Sequence, residues 1–465
     1  MSPSGLEPAA AACLFPGFEG TTPPDWLRRL IAQGLGGVVL FSRNVSDPEQ
    51  LAALTASLRA ESPELVVAVD EEGGDVTRLE TTAGSSFPGN LALGAVDDPA
   101  LTRRVAAAIG GELAAGGVNL DLAPVADVLV DPASAIVGVR SFGSDPQLVA
   151  RHVAAFVEGV QSVGVAACAK HFPGHGETVA DSHLELPVAD TDRETLRARA
   201  LSPFAAAVDA GVRAVMTAHV RFAAFGDEPA THNAALLGLL RSELGFGGVV
   251  MTDALEMQGA GGPAGVEDSA ITALAAGADA LCLGADLTPA QVEGVHLAIG
   301  SAVREGLLAE QRVHEAAARV AELTVWAAEP KPHADREAGA EAARRALLVE
   351  GDPSLGVDAL VAELWPEPTI AAGAARHGLG EILGAESLRL TEGDALPPLD
   401  AARPLVLVLR DAHRHPWQRA LVSRHAVVVE TGVPEWRPEG ARAYIASYGA
   451  GRANLEAVAG VLRGG

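Results

Sequence analysis

The sequence predicts an α/β protein: a (β/α)8 TIM-type barrel followed by a smaller α/β sandwich domain. Short apolar, β-branched runs recur through the first 330 residues, and helical stretches separate most of them. The runs are continuous rather than alternating, as expected of parallel strands buried on both faces. No GxGxxG motif opens a helix directly after the first run, which counts against the main competitor, a doubly wound dinucleotide fold.

The expected barrel strands are Ala12–Phe15, Gly37–Phe41, Leu65–Asp70, Val118–Leu122, Val165–Lys170, Val212–His219, Gly248–Asp253 and Asp279–Leu283. Asp47-Pro48, Asp98-Pro99 and Asp145-Pro146 each set a capping aspartate before a proline at the first helical position. Gly116-Gly117 and Gly164 mark helix ends. Strand and helix alternating eight times assign the barrel to residues 1–328. The polar, proline-bearing stretch Glu329–Asp335 reads as a linker, and helical pattern resumes over Arg336–Val349, so residues 329–350 form linker and helix. Strand-like Leu405–Leu409, Ala426–Val429 and Ala443–Ala446, with a last helix near Asn454–Leu462, place the sandwich at residues 351–465.

The composition, 48% hydrophobic and 20% charged, suits a packed core and excludes a disordered chain. With aromatic residues at only 4%, that core must be built from Ala, Val and Leu. A net charge of −26 repels phosphate backbones and anionic lipids, so neither nucleic acid nor membrane is an expected partner. The N-terminus lacks a basic region and carries Glu7, unlike a secretion signal, and no apolar run approaches the ~20 residues of a membrane span. The expectation is a soluble cytoplasmic protein. Cys13, Cys168 and Cys282 form neither a CxxC pair nor an even set, and each sits in a short apolar run as a small core side chain.

Chemistry in such a barrel collects at the C-terminal ends of the strands. There the runs end on Asp70, on Lys170 with His171, on His219 and on Asp253. One such residue can be a helix cap or loop anchor; four converging on one rim suggest a site. Lys170 is one of only two lysines, Arg filling the other cationic positions except Lys331, which points to a need for a compact ammonium. The densest segment is KHFPGHGETVADSHLELP, Lys170–Pro187. His171 and His175 are four apart, but Pro173 and Gly174 break the helix that would align them on a metal. No metal or organic cofactor is expected. Asp181 and His183 are two apart, so an extended turn lets both face one side and the carboxylate orient the imidazole as an acid/base dyad. No GxSxG elbow supports a serine nucleophile. Asp253 can either cap the segment after it or act as a carboxylate nucleophile on a sugar's anomeric carbon.

KHFPGHG followed by DSH resembles the signature of glycoside hydrolase family 3, in its bacterial β-N-acetylhexosaminidase branch. VDEEGGDVTRL, NLDLAPVADV, VRSFG and MTDALEMQGA extend the resemblance over about residues 10–325. IASYGAGRANLEAVAGVLRG resembles, more weakly, the end of the second domain of two-domain members. The chain departs from the commoner pattern DQEGGRVxRL by Glu71 and Asp75.

The resemblance implies Asp253 as nucleophile and His183 as acid/base with Asp181 as its partner. It implies Asp70, Arg78, Arg140, Lys170 and His171 as ligands of the sugar hydroxyls and N-acetyl group, with His219 on the same rim. The implied activity is that of a retaining exo-β-N-acetylglucosaminidase acting on cell-wall muropeptides or chitin-type oligosaccharides. The rivals are a phosphorylase or β-glucosidase of the same family and, outside enzymes, a non-catalytic sugar-binding protein. The implied partner is a small oligosaccharide.

Overall fold

The computed structural model of the chain describes residues 5–178, 180, 182, 184–327, 331–355, 359–373, 377–398 and 403–464. Eight short parallel strands carry its first part: β1 Leu14–Phe15, β2 Gly37–Leu40, β3 Val66–Val69, β4 Leu120–Asp121, β5 Ala166–Phe172, β6 Ala214–Thr217, β7 Val249–Thr252 and β8 Leu281–Cys282. Strands β2 to β7 form one sheet in chain order. A Met251–Ala280 bridge carries it on to β8, which pairs with β1. The Val39 N–H donates to the Pro16 carbonyl at 3.1 Å, returning from β1 toward β2. Hydrogen bonds thus pass through all eight strands and back to the first, consistent with the expected TIM-like architecture.

The continuous apolar runs have two destinations. Ala68, Leu120, Ala166, Cys168, Ala214, Met216 and Met251 fill the inside of the curled sheet. Their neighbours Val67, Val69, Ala167, Val215 and Val250 face the surrounding helices. Small interior side chains answer the scarcity of aromatics. All three cysteines are buried and unpaired in disulfides, and burial pushes the Cys13 thiol up to about 12. The aspartate–proline helix starts form as expected: Asp47, Asp98 and Asp145 accept from the backbone N–H of Gln50, Leu101 and Gln147. No described helix is long and apolar enough to cross a membrane.

The C-terminal part is a second sheet, in the order β9 Leu348–Gly351, β14 Ala443–Ala446, β13 Ala426–Glu430, β12 Leu405–Leu409, β10 Leu360–Leu364 and β11 Glu386–Leu390. All pairings are parallel except β9 with β14. Here the structure corrects two sequence readings. The helix expected to reach Val349 ends at Ala346, because Leu348–Gly351 pairs as an edge strand, tertiary pairing overriding a helical pattern. Strands β10 and β11 are not among the expected strands, because Glu363 in one and Glu386 and Arg389 in the other interrupt their apolar runs.

At the end of the sheet away from the C-terminal ends of the strands, the fully buried Asp279 gathers Arg241, Arg312 and Arg319 and accepts the Val250 N–H at 3.0 Å. One carboxylate thus ties β7 and β8 to two flanking helical segments. Removing it leaves three guanidinium groups facing one another. Asp279→Ala should lower stability by about 3–5 kcal/mol in urea unfolding, the cost of stripping one partner from a buried ion pair.

Candidate active site

Because the strands are parallel, their C-terminal ends share one rim. Asp70 follows β3, Lys170 and His171 lie near the end of β5, His219 follows β6 and Asp253 follows β7. The sharp turn after Asp70 uses Gly73 (φ +76°) and Gly74 (φ +59°), backbone conformations that glycine adopts without strain. That turn sends Glu72 inward. Its Oε1 accepts from Lys170 Nζ at 2.7 Å and Arg140 Nη2 at 2.7 Å, and its Oε2 accepts from Arg140 Nε at 2.9 Å. Lys170 Nζ also donates to Asp70 Oδ1 at 2.6 Å, and Asp70 Oδ2 lies 3.7 Å from Arg78. Arg140, Glu72, Lys170, Asp70 and Arg78 therefore form one alternating chain of charges.

Burial opposes charge on Glu72, but Arg140 and Lys170 outweigh it and hold the carboxyl below its usual range. Burial likewise opposes charge on Lys170, and Asp70 and Glu72 outweigh it, raising the ammonium's pKa. The neighbouring Glu71 behaves in the opposite way. It is buried with no cationic partner among the described residues, and burial lifts it to about 7 although one of its oxygens accepts from Thr77 Oγ1, Arg78 N and Leu79 N. Asp121 is also driven well above its ordinary value, by burial and then by Glu71.

His171 Nδ1 lies 2.7 Å from Asp127 Oδ2, and Asp127 Oδ1 accepts the His175 N–H at 2.7 Å. Burial opposes ionisation of Asp127, but His171 holds it below its usual range. The pairing puts a proton on Nδ1 and makes Nε2 the acceptor in the neutral ring. His175 is a strut: burial lowers it to about 4, so it stays neutral between Thr178 (2.8 Å) and Ser182 (3.3 Å). The Ser182 backbone carbonyl accepts the Gly259 N–H at 3.0 Å, which ties Ser182 to the segment after Asp253. Asp181 and His183, the expected dyad, lie outside the described residues. Among the described residues no group of three or more His, Cys, Asp or Glu is placed to hold a metal.

Asp253 is half-buried, with Oδ1 accepting its neighbour's N–H, that of Ala254, at 2.8 Å. His219 is wholly buried beneath that turn. Its Nε2 donates to the Ala254 carbonyl at 3.0 Å, and Thr231 Oγ1 lies 2.9 Å from its Nδ1. Glu72 and Asp127 are not among the expected site residues; Glu72 comes two residues after the run that ends on Asp70, a signal that could have found it, whereas Asp127 lies six residues past β4 and carries none. The sequence reading also left Asp75 without a partner. Asp75 turns to the C-terminal unit, pairing with Arg410 and accepting the Ala450 N–H at 2.7 Å. His413 Nε2 makes a second bridge, to the Pro132 carbonyl at 2.8 Å.

The profile described as "Glycosyl hydrolase family 3 N terminal domain" matches residues 24–323. The chain belongs to glycosyl hydrolase family 3. This family 3 enzyme is 36% identical over 314 residues to a beta-hexosaminidase of Nitrosomonas eutropha, covering 64% of this chain and 90% of that one. It is 35% identical over 282 residues to beta-hexosaminidase A of Pseudoalteromonas piscicida, where the match spans 56% of this chain and only 47% of the relative. A solved family 3 beta-N-acetylglucosaminidase from Paenibacillus sp. str. FPU-7 superposes with a TM-score of 0.87 at 32% identity, covering 99% of this chain and 97% of that one. A beta-glucoside phosphorylase, at 19% identity and a TM-score of 0.78, covers 100% of this chain and 92% of that one and shares the fold.

The enzyme's Glu71 stands where the commoner family pattern has glutamine, and its environment asks for a neutral group. A folded-state pKa raised to about 7 contributes stability fully below the ordinary glutamate range, and that stability is lost as pH rises to about 7. Glu71→Gln keeps an oxygen for the three donors and removes the titration. The difference in Tm between Glu71→Gln and wild type should therefore grow in favour of the variant from about pH 5 to pH 8, read by thermal unfolding.

Proposed function

We propose that this enzyme is a retaining exo-β-N-acetylglucosaminidase that releases terminal GlcNAc from cell-wall muropeptides or chitin-type oligosaccharides in the cytoplasm. The observation that carries the reading is the buried chain of Arg140, Glu72, Lys170, Asp70 and Arg78 on the same rim as Asp253. It presents fixed donors and acceptors of the kind that hold sugar hydroxyls, and fixed groups need no reorganisation as charge develops. Asp70, Arg78, Arg140, Lys170 and His171 hold the hydroxyls and the N-acetyl group, while His219 supports the Asp253 turn from below.

The Asp253 carboxylate attacks the anomeric carbon as the bond to the leaving oxygen breaks, giving a glycosyl-Asp intermediate. His183, oriented by Asp181, protonates the departing oxygen. It then takes a proton from the water that attacks the same carbon and frees Asp253. Ser182, which stands between Asp181 and His183 in the sequence, lies 3.3 Å from His175 Nε2, and its carbonyl accepts the Gly259 N–H in the segment after Asp253. A neutral imidazole, unlike a carboxylate, does not repel phosphate as an alternative acceptor, and this keeps phosphorolysis as the second reading.

Hydrolysis of chromogenic β-GlcNAc and β-glucose substrates, with and without phosphate, separates these readings. The expected result is β-GlcNAc hydrolysis indifferent to phosphate; release of a sugar phosphate, a preference for glucoside or no turnover would overturn it. Asp253→Asn should lower kcat by roughly 10⁴-fold or more with the fold retained. A 2-fluoro sugar should label Asp253, seen by peptide mass spectrometry.

A further inference from the structure

The turn after Asp253 is fastened to the loop after β8 by a side chain that the reaction as written leaves unused. Glu256 stands three residues beyond Asp253 and is half-buried. Its Oε1 accepts the Ala285 N–H at 2.6 Å and its Oε2 accepts the Asp286 N–H at 2.8 Å. Consecutive backbone N–H groups make a cradle for an anion, and a carboxylate with one oxygen on each is fixed in rotation as well as in place. The loop leaves room for it: Gly284 has φ +76°, and a Cβ there would run into the Glu256 carboxylate. The loop that offers the cradle is itself held. The Gly284 carbonyl accepts the Gly17 N–H at 2.9 Å. Arg43, from the segment after β2, donates to the Ala285 carbonyl, and its Nε donates to the Phe18 carbonyl at 3.2 Å. The segments after β1, β2 and β8 are thereby joined, and Glu256 attaches the turn after β7 to them.

We propose that Glu256 is a positioning residue for the nucleophile: by locking the turn after Asp253 against the loop after β8, it sets the place from which the Asp253 carboxylate attacks the anomeric carbon. The inference rests on the reading of Asp253 as the nucleophile. Ala254 and Leu255 lie between the two carboxylates, and the backbone of each is also held. The Ala254 carbonyl accepts from His219 Nε2 at 3.0 Å, and the Leu255 N–H donates to the Cys282 carbonyl at 2.9 Å. Glu256 closes the far end of this short span. Both its oxygens are engaged by backbone, so its effect reaches the sugar through the turn and not by contact. Without the carboxylate that end is released, the two N–H groups lose their acceptor, and Asp253 moves with the turn. A nucleophile is sensitive to such a shift, since a misplacement of about 1 Å costs on the order of a hundredfold in rate.

The test measures two quantities in wild type, Glu256→Ala and Glu256→Gln: the rate constant for labelling of Asp253 by a 2-fluoro sugar, and the Kd of GlcNAc by calorimetry. Glu256→Ala should slow labelling by about thirtyfold or more while the Kd stays within about threefold, because the turn moves and the hydroxyl-binding side chains do not. Glu256→Gln keeps one acceptor oxygen in the same shape, so its labelling rate should fall between those of the alanine variant and wild type. Should the alanine variant not fold, the glutamine variant carries the test, with a fall of about threefold or more expected at unchanged Kd. A smaller fall in a folded variant overturns the inference alone. So does a loss of GlcNAc affinity as large as the loss of rate, the mark of a merely structural role. A wild type that is labelled on another residue, or not labelled, overturns the reading of Asp253 and the inference with it.

Discussion

The Glu72 carboxylate is the constraint on which the rim depends. It lies buried between Arg140, from a loop after β4, and Lys170, from β5, and is itself held by the turn after β3. Three separate crossings of the barrel are fixed relative to one another by one side chain. An ion pair so deep is held together by its completeness, since any member left alone would be an uncompensated buried charge. The same arrangement fixes the orientation of two cations and, through Lys170, of Asp70. A sugar has no net charge and must be recognised by directed hydrogen bonds, so rigidity of the donors matters more here than their charge.

Adjacent positions in the chain reach opposite ionisation states. Glu71 and Glu72 are chemically identical and equally removed from water, yet one is pushed up to about 7 and the other held below the carboxylate range. Cationic partners decide the matter. His171 and His175 differ likewise in their partners: the first sits against the Asp127 carboxylate, and the second is kept neutral by burial beside the Thr178 hydroxyl.

Much of the barrel was legible because strands buried on both faces leave continuous apolar runs: seven of the eight runs contain an observed strand, and the run Val165–Lys170 overlaps β5, which continues to Phe172. The rim was legible because a polar or charged group that ends such a run must find a partner where the strand stops, as Lys170 and His219 do although they are buried. What escaped notice was whatever depends on contacts remote in sequence. Glu72 and Asp127 look like ordinary loop charges until Arg140 and His171 are placed beside them. Strands β10 and β11 carry charges inside their short runs, and β9 continues a helical pattern until β14 claims it. Asp75 looked like a lost arginine of the sugar pocket, and only the fold shows that it faces Arg410, 335 positions further on.

That pairing bears on how such a chain can be inherited. Asp75 sits in the barrel turn that carries Asp70 and Glu72, and Arg410 in a unit with its own sheet and core. Neither side chain suits its surroundings without the other. A recombination event that exchanged one unit and kept the other would bury a lone charge against the turn that positions Glu72. The two halves of the gene are therefore bound to travel together, and a chimaera built from this barrel must bring position 410 with position 75.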